Sequence, residues 1–192
     1  MNPWEATENF VGEVKVYYDN LTKHFTRFPN EVFVETGTYI GNGLQTALTT
    51  GFKKCYSIEI HKYLYDNAVK RFEKEIESGQ VELFYGNSEE LFPMIVEKLD
   101  RPATFWLDAH ISSQYGEMLA KNCPVLEELQ AIKSHSIKTH TILIDDMNCF
   151  NTPNHDDMPL GYVRDMIRSI NREYKTEFLP ASIPGNILAA YI

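Results

Sequence analysis

The sequence predicts an α/β fold: a doubly wound, mostly parallel sheet of seven strands with an antiparallel last strand and helices on both faces. Three observations carry this. Short runs rich in Val, Ile, Phe, Tyr and Leu recur at 31–36, 54–60, 80–85, 103–109 and 140–146, apolar on both sides as strands covered on both faces are. Stretches of helical period separate them, and strands alternating with helices imply right-handed crossovers. Finally, KTEFLP (175–180) and ILAAYI (187–192) are separated only by ASIPGN. That gap is too short for a helical crossover and carries the turn signal Pro184-Gly185, so the closing pair must run antiparallel.

Taken in order, Trp4 to Phe28 places Phe10, Val14, Tyr17, Leu21 and Phe25 at steps of three and four, a helix laid on the flank of the domain. EVFVET (31–36) is the first strand, followed by a helix from near Gly43, and KCYSIEI (54–60) is the second. In 61–78, Leu64, Ala68, Phe72 and Ile76 recur every four residues and predict a helix. QVELFY (80–85), ATFWLDA (103–109) and HTILIDD (140–146) are the next three strands, and Leu160, Val163, Ile167 and Ile170 mark a helix over 160–173. No repeat, low-complexity tract or Gly/Ser linker divides the chain. One domain over 1–192 is expected, with 1–29 as a flanking helix and 30–192 as the core.

Composition narrows the function classes. The 192 residues are 43% hydrophobic and 23% charged, ordinary for a globular protein. A net charge of −9 argues against a nucleic-acid or anionic-membrane partner. No apolar run approaches the roughly 18 residues of a membrane span, and no signal sequence is read at the start. Cys55, Cys123 and Cys149 are odd in number and lack CxxC spacing, so a reduced chain in the cytoplasm is the default expectation.

In an open α/β sheet, ligands bind beyond the carboxyl ends of the strands. Here those ends carry Glu35-Thr36-Gly37, Glu59, Gly86-Asn87-Ser88, Asp108-Ala109-His110 and Asp145-Asp146. The first loop reads E-x-G-x-x-x-G, with Glu35 ahead of Gly37 and Gly41, rather than the GxGxxG of a dinucleotide fold. A carboxylate beside the loop repels a pyrophosphate and suits a cationic or hydroxyl-bearing ligand. Glu59, 22 residues after Gly37, stands where an acid accepts hydrogen bonds from a ribose diol. Asn87 and Ser88 stand where an adenine edge would be met. A nucleoside with a cation and no phosphate meets these requirements, and S-adenosylmethionine is such a molecule. The competing reading makes the glycines a tight strand-to-helix turn and Glu59 a solvated strand end.

VETGTYIGNG, YSIEI, GNSEELF, TFWLDAH and HTILIDDM, in this order, resemble the class I S-adenosylmethionine-dependent methyltransferases, a Rossmann-like fold. Within that class the chain is similar to metal-dependent O-methyltransferases, notably the macrocin O-methyltransferase-like sugar enzymes. The resemblance implies a cofactor-binding set of Glu35, Thr36, Gly37, Thr38, Tyr39, Gly41, Asn42, Gly43, Glu59, Ile60, His61, Asn87, Ser88 and Asp108. It also implies Asp108, Asp145 and Asp146 as ligands of Mg²⁺ or Mn²⁺, and Asp108 with His110 at the reaction centre. The chain departs from those sugar enzymes in having His110 in place of an acid and Asn87 in place of Asp.

Chemistry gives these residues their tasks. Three carboxylates would leave positions for substrate oxygens on an octahedral cation, which lowers the pKa of a substrate hydroxyl. Asp145 and Asp146 can serve one ion only if the strand ends there, because neighbours in a strand point to opposite faces. His110 is either a general base or an extra ligand. His24, His135, His140 and His155 are expected to be surface or structural. The irregular segments 111–124 and 148–161, with Ser112, Ser113, Gln114, Tyr115 and Asn154, are expected to form the acceptor pocket and a lid. They suit a hydroxylated small molecule or a glycan. A nicotinamide-dependent reductase is disfavoured by the loop pattern and the lack of a Tyr-x-x-x-Lys pair, and a non-catalytic binding module by the acids on all five strand ends. The sequence leaves homo-oligomerisation open.

Overall fold

The computed structural model describes residues 3–110 and 123–192, with side chains described from residue 15 onward apart from Asn154. The elements are α1 (Pro3–Arg27), β1 (Val32–Thr36), α2 (Asn42–Thr50), β2 (Lys54–Glu59), α3 (Lys62–Arg71), α4 (Glu73–Glu77), β3 (Val81–Tyr85), α5 (Ser88–Glu97), β4 (Ala103–Leu107), α6 (Val125–Ser134), β5 (Thr141–Ile144), α7 (Leu160–Ile170), β6 (Lys175–Leu179) and β7 (Ile187–Tyr191). Short 3₁₀ turns at Met147–Cys149 and Pro153–His155 lie between β5 and α7.

All seven expected strands join one sheet in the order β3-β2-β1-β4-β5-β7-β6. β1 pairs in parallel with both β2 and β4, β4 with β5, and β2 with β3, while β7 runs antiparallel to its neighbours β5 and β6. The order reverses between β1 and β4, so the loops leaving these two strands part to opposite sides and open a crevice at their carboxyl ends. β4 stops at Leu107 and β5 at Ile144, each two residues before the expected boundary. Asp108 and the Asp145-Asp146 pair therefore stand on loops and escape the strict alternation of a strand.

Both faces of the sheet are covered. Val34, Ile58, Phe105, Leu107 and Ile142 pack against α5, α6 and α7 through Phe92, Ile95, Leu129, Ile132, Val163 and Ile167. Phe33, Cys55, Trp106 and Leu143 pack on the other face against Leu21 and Phe25 of α1, Leu44 and Ala47 of α2, and Phe72. Phe25 is the hinge of that second layer. Its ring lies 5.0 Å from Phe33, 5.6 Å from Trp106 and 6.2 Å from Phe52, in the tilted and edge-on arrangements that aromatic quadrupoles favour. The helix expected over 61–78 is interrupted at Phe72 (φ −107°, ψ 24°), which turns the buried ring toward the loop after β1. Among the described residues no helix is long and apolar enough to cross a membrane.

Beneath the amino ends of β4 and β5 lies a histidine relay. The amide of Ala103 donates to His140 Nδ1 at 3.1 Å, so the proton of neutral His140 sits on Nε2. Nε2 then donates to His135 Nδ1 at 3.0 Å, and His135 Nε2 donates to the Leu99 carbonyl at 3.1 Å. The expected structural role fits His140, which is fully buried.

Phe25→Ala should remove about 3–5 kcal/mol of stability, read by chemical unfolding. The His140 relay gives a pH signature. Burial, reinforced by His135, pushes the His140 pKa from 6.5 down to about 4. The unfolded chain binds this proton near pH 6.5 and the folded chain only near 4, so stability present above 6.5 is lost on acidification. His140→Gln should flatten the acid limb of the stability profile by about 3 kcal/mol between pH 6.5 and 4 relative to wild type.

Candidate active site at the carboxyl ends of β1, β4 and β5

A cavity of about 270 Å³ opens in the crevice between β1 and β4. Of the expected residues, Glu35, Gly37, Thr38, Tyr39, Asn42, Gly43, Asp108, His110, Asp145 and Asp146 line it. Tyr17, Tyr18, Ile40 and Trp106 line it as well, and sequence reasoning had not assigned these to the site. Thr36 is fully buried under the floor, and Gly41, Glu59, Ile60, His61, Asn87 and Ser88 do not border this cavity.

Glu35 is buried where β1 meets α2. Ser57 Oγ donates to its Oε2 at 2.6 Å, and Ser57 pairs in turn with Thr38 Oγ1 at 2.6 Å. The Leu44 amide in the first turn of α2 also donates to it, so the carboxyl caps the positive end of that helix. Glycine is required at 43, because a Cβ there would come within 2.1 Å of Glu35 Oε1. Burial, with some repulsion from Glu59, pushes the Glu35 pKa up to about 8 against the pull of Ser57 and Leu44.

Glu59 works as a backbone clamp. Its Oε2 accepts from the Tyr39 amide and its Oε1 from the His61 amide, both at 2.7 Å. Asn87 caps α5 by accepting from the Glu89 amide at 3.1 Å. Ser88 is buried in the first turn of α5 beside Glu128. Side chains expected to face a nucleoside thus hold the loops that surround the cavity. Glu128, from α6, is a buried acid the sequence did not single out. Burial pushes its pKa up to about 8 although the Ser88 and Thr36 hydroxyls draw it back, and among the described residues its Oε1 has no hydrogen-bond partner.

At the reaction end, ligand atoms of Asp108, His110 and Asp146 lie within 4.8 Å of one another. His110 Nδ1 is 3.6 Å from Asp108 Oδ1, and His110 Nε2 is 3.3 Å from Asp146 Oδ2. The backbone separates the two adjacent aspartates: Asp146 has φ +57° and reaches the His110 cluster, with its Oδ1 accepting from Asn186 Nδ2 at 3.2 Å. Asp145 also lines the cavity, with its Oδ2 accepting from the Tyr17 hydroxyl at 2.7 Å and its Oδ1 from the Asp146 amide at 2.8 Å. His110 therefore completes the cluster where the sequence placed Asp145.

Burial and crowding govern the charge here. The Asp145 pKa rises to about 7 by burial and by the neighbouring Asp146. Asp108 rises well above the carboxylate range through burial and repulsion from Asp145, Asp146 and Glu35, with a hydrogen bond from Trp106 opposing the shift. Positive charge entering the cavity would favour the ionised forms of Glu35, Asp108 and Asp145. The donor set of two carboxylates and an imidazole, with hard oxygens dominating, fits a divalent cation such as Mg²⁺ or Mn²⁺.

Between β5 and α7, His155 is buried with its ring 5.5 Å from His110 and 4.8 Å from Phe150, so it belongs to the wall behind the cluster. Asp156 Oδ2 accepts from the Cys123 amide at 3.1 Å, tying this segment to the chain entering α6. The expected acceptor residues Ser112, Ser113, Gln114 and Tyr115, and the Asn154 side chain, lie outside the described residues.

No protein-family model matches the chain, and no curated protein matches it in sequence. Solved structures match it in fold. An O-methyltransferase from Bacillus cereus in complex with SAH is 15% identical, with a TM-score of 0.64 over 90% of this chain and 79% of the other. The O-methyltransferase TomG from Streptomyces achromogenes, involved in tomaymycin synthesis and solved with SAM, is 14% identical at a TM-score of 0.63, over 90% of this chain and 77% of its own. A methyltransferase from Geobacter sulfurreducens is 12% identical at 0.60, over all of this chain and 88% of its own. The chain has the Rossmann-like fold of these methyltransferases.

Glu128 yields a prediction independent of any ligand. The unfolded carboxyl ionises near 4.5 and the folded one only near 8, so its contribution to stability is present below 4.5 and lost as pH rises through 8. Glu128→Gln keeps a neutral side chain of the same shape. It should become more stable relative to wild type from pH 4.5 to 8, by up to about 5 kcal/mol, in unfolding curves measured across that range.

Proposed function

We propose that this chain is an S-adenosylmethionine-dependent O-methyltransferase, assisted by a divalent cation, that methylates a hydroxyl of a sugar, glycan or other small hydroxylated acceptor. A single catalytic domain over 1–192 and a cytoplasmic location belong to the same reading. The observation that carries it is the charge of the cavity. Four carboxyl groups, Glu35, Asp108, Asp145 and Asp146, face it together with Tyr17, Tyr18 and Trp106, and no Lys or Arg is among its described lining residues. Such a wall attracts a cationic donor and repels a pyrophosphate. The fold supports the reading, since structures solved with SAM and with SAH share it.

The donor, when bound, supplies an electrophilic methyl group on a positively charged sulfur. Residues of the glycine loop from Gly37 to Gly43, with Glu35 beneath them, would hold it at the β1 end of the cavity. Asp108, His110 and Asp146 would hold the divalent cation, which supplies Lewis acidity toward an acceptor hydroxyl. The remaining task of the chain is to align the acceptor oxygen with the methyl group, about 3 Å away, and to remove its proton. His110 stands between Asp108 and Asp146, its ring nitrogens 3.6 and 3.3 Å from their carboxylates, and where it takes no place on the cation it serves as the general base. Tyr17 keeps Asp145 hydrogen-bonded at the wall.

The direct test is calorimetric titration with S-adenosylmethionine, followed by methyl transfer to panels of sugars and catechols before and after EDTA and with Mg²⁺ or Mn²⁺ restored. Chelation should abolish transfer and metal should restore it; a catechol-only enzyme ends the sugar reading. Asp146→Asn should lower kcat by at least about 100-fold with donor binding retained. Donor binding at pH 7 should also release protons. Glu35 with its pKa about 8 is largely neutral in the free protein, and a cation beside it favours the ionised form. Binding enthalpies in buffers of different ionisation enthalpy will measure this release, and equal enthalpies in all buffers would refute it.

A further inference from the structure

The glycine loop holds an unfavourable shape, and groups on other elements brace it. Tyr39 and Gly41 both have positive φ, +49° and +84°, a region costly for a side chain such as that of Tyr39. Within the loop the Gly41 amide bonds back to the Thr38 carbonyl at 2.7 Å, and the Gly37 and Thr38 amides bond to the Ile58 carbonyl of β2 at 3.0 and 3.1 Å. Two further groups reach residues 39–42 from outside. From the β2 side Glu59 accepts from the Tyr39 amide. From the last turn of α3, Arg71 Nη1 donates to the Ile40 carbonyl at 2.6 Å and to Asn42 Oδ1 at 2.8 Å.

The neighbours of Arg71 fit it to this place. Its guanidinium lies 5.2 Å from the centre of the Phe72 ring, a cation–π distance. That ring fills the space where a Cβ on Gly41 would sit, 2.6 Å away. Asn42, held through its oxygen by Arg71, donates its Nδ2 to the Tyr18 hydroxyl of α1 at 2.6 Å. Arg71, Asn42 and Tyr18 thus join α3, the loop and the N-terminal helix across the mouth of the cavity. Both acceptors of Arg71 are neutral, and Arg71 itself does not line the cavity.

We infer that Arg71 is a positioning residue for donor binding: from outside the cavity it locks residues 40–42, and through Asn42 the Tyr18 wall, in the conformation that receives the donor. The two N–H groups of Nη1, fixed in the guanidinium plane, serve two acceptors at once, a geometry that a freely rotating ammonium holds less well. The free loop then pays little ordering cost on binding, and loss of the Nη1 bonds appears as weaker affinity. This inference rests on the donor reading above, and the test separates the two.

Amide hydrogen exchange of residues 39–43 in the ligand-free protein, at matched pH, reads the lock itself. Titration with S-adenosylhomocysteine reads its consequence. Arg71→Gln should speed exchange in this segment at least about tenfold, leave the β1 and β4 amides protected, and raise the Kd about tenfold. Arg71→Lys should fall between. In turnover, KM for the donor should rise more than kcat falls. Unchanged loop exchange in Arg71→Gln overturns the lock, and faster exchange with a Kd within twofold of wild type overturns its role in binding. If wild type itself fails to bind S-adenosylhomocysteine, the donor reading falls, and exchange alone decides whether Arg71 holds the loop.

Discussion

Too many carboxyl groups share one small, partly dry space, and most of the architecture around them can be understood as a response. Glu35 arrives from the end of β1, Asp108 from β4, and Asp145 and Asp146 from β5. Each would be unremarkable alone at a solvated strand end. The parallel pairing of β1 with β4 and of β4 with β5 brings the three ends side by side, and the aromatic wall of Tyr17, Tyr18 and Trp106 keeps water from screening them. Burial and mutual repulsion then raise Glu35, Asp108 and Asp145 together. Such an arrangement stores unfavourable electrostatic energy in the free protein and returns it when positive charge enters. On the proposed reading, this electrostatics favours a cationic ligand over an anionic one before any shape complementarity is considered.

The donors around this space explain which acid does what. Glu35 is spent on Ser57 and the Leu44 amide of α2, and Glu59 on the backbone of residues 39 and 61. Asp145 is spent on Tyr17 and its own chain. Asp108 and Asp146 remain, with His110 between them. The division follows from hydrogen-bond supply: an acid surrounded by N–H and O–H donors becomes part of the scaffold, and one facing the opening keeps lone pairs for a ligand.

Much of this was legible in the chain. Strands covered on both faces read as unbroken apolar runs, and seven such runs became seven strands with boundaries displaced by at most two residues. The acids at their carboxyl ends were equally visible, since a charged residue at the edge of a buried run has few other places to go. The roles within the site were less so. Periodicity treated Tyr17 as one more apolar residue on a helical stripe and passed over Tyr18, because nothing local says that this stripe runs along the mouth of the cavity. The consecutive Asp145 and Asp146 looked equivalent, and a positive φ at one peptide unit separated them. The break at Phe72 was hidden by an apolar spacing of four that continues through it, although the ring there leaves the helix to pack against Gly41.

By itself, then, the sequence determined the sheet, its reversed last strand, the glycine loop and the collection of acids along one rim, because these depend on local pattern and on which residues tolerate burial. Only the tertiary structure decided which acid is scaffold and which faces the opening, that the N-terminal helix forms a wall of the site, and that an arginine outside the cavity holds its loop. Those outcomes depend on distances between segments far apart in the chain, where a hydrogen bond exists at 2.7 Å and vanishes a few ångströms further on.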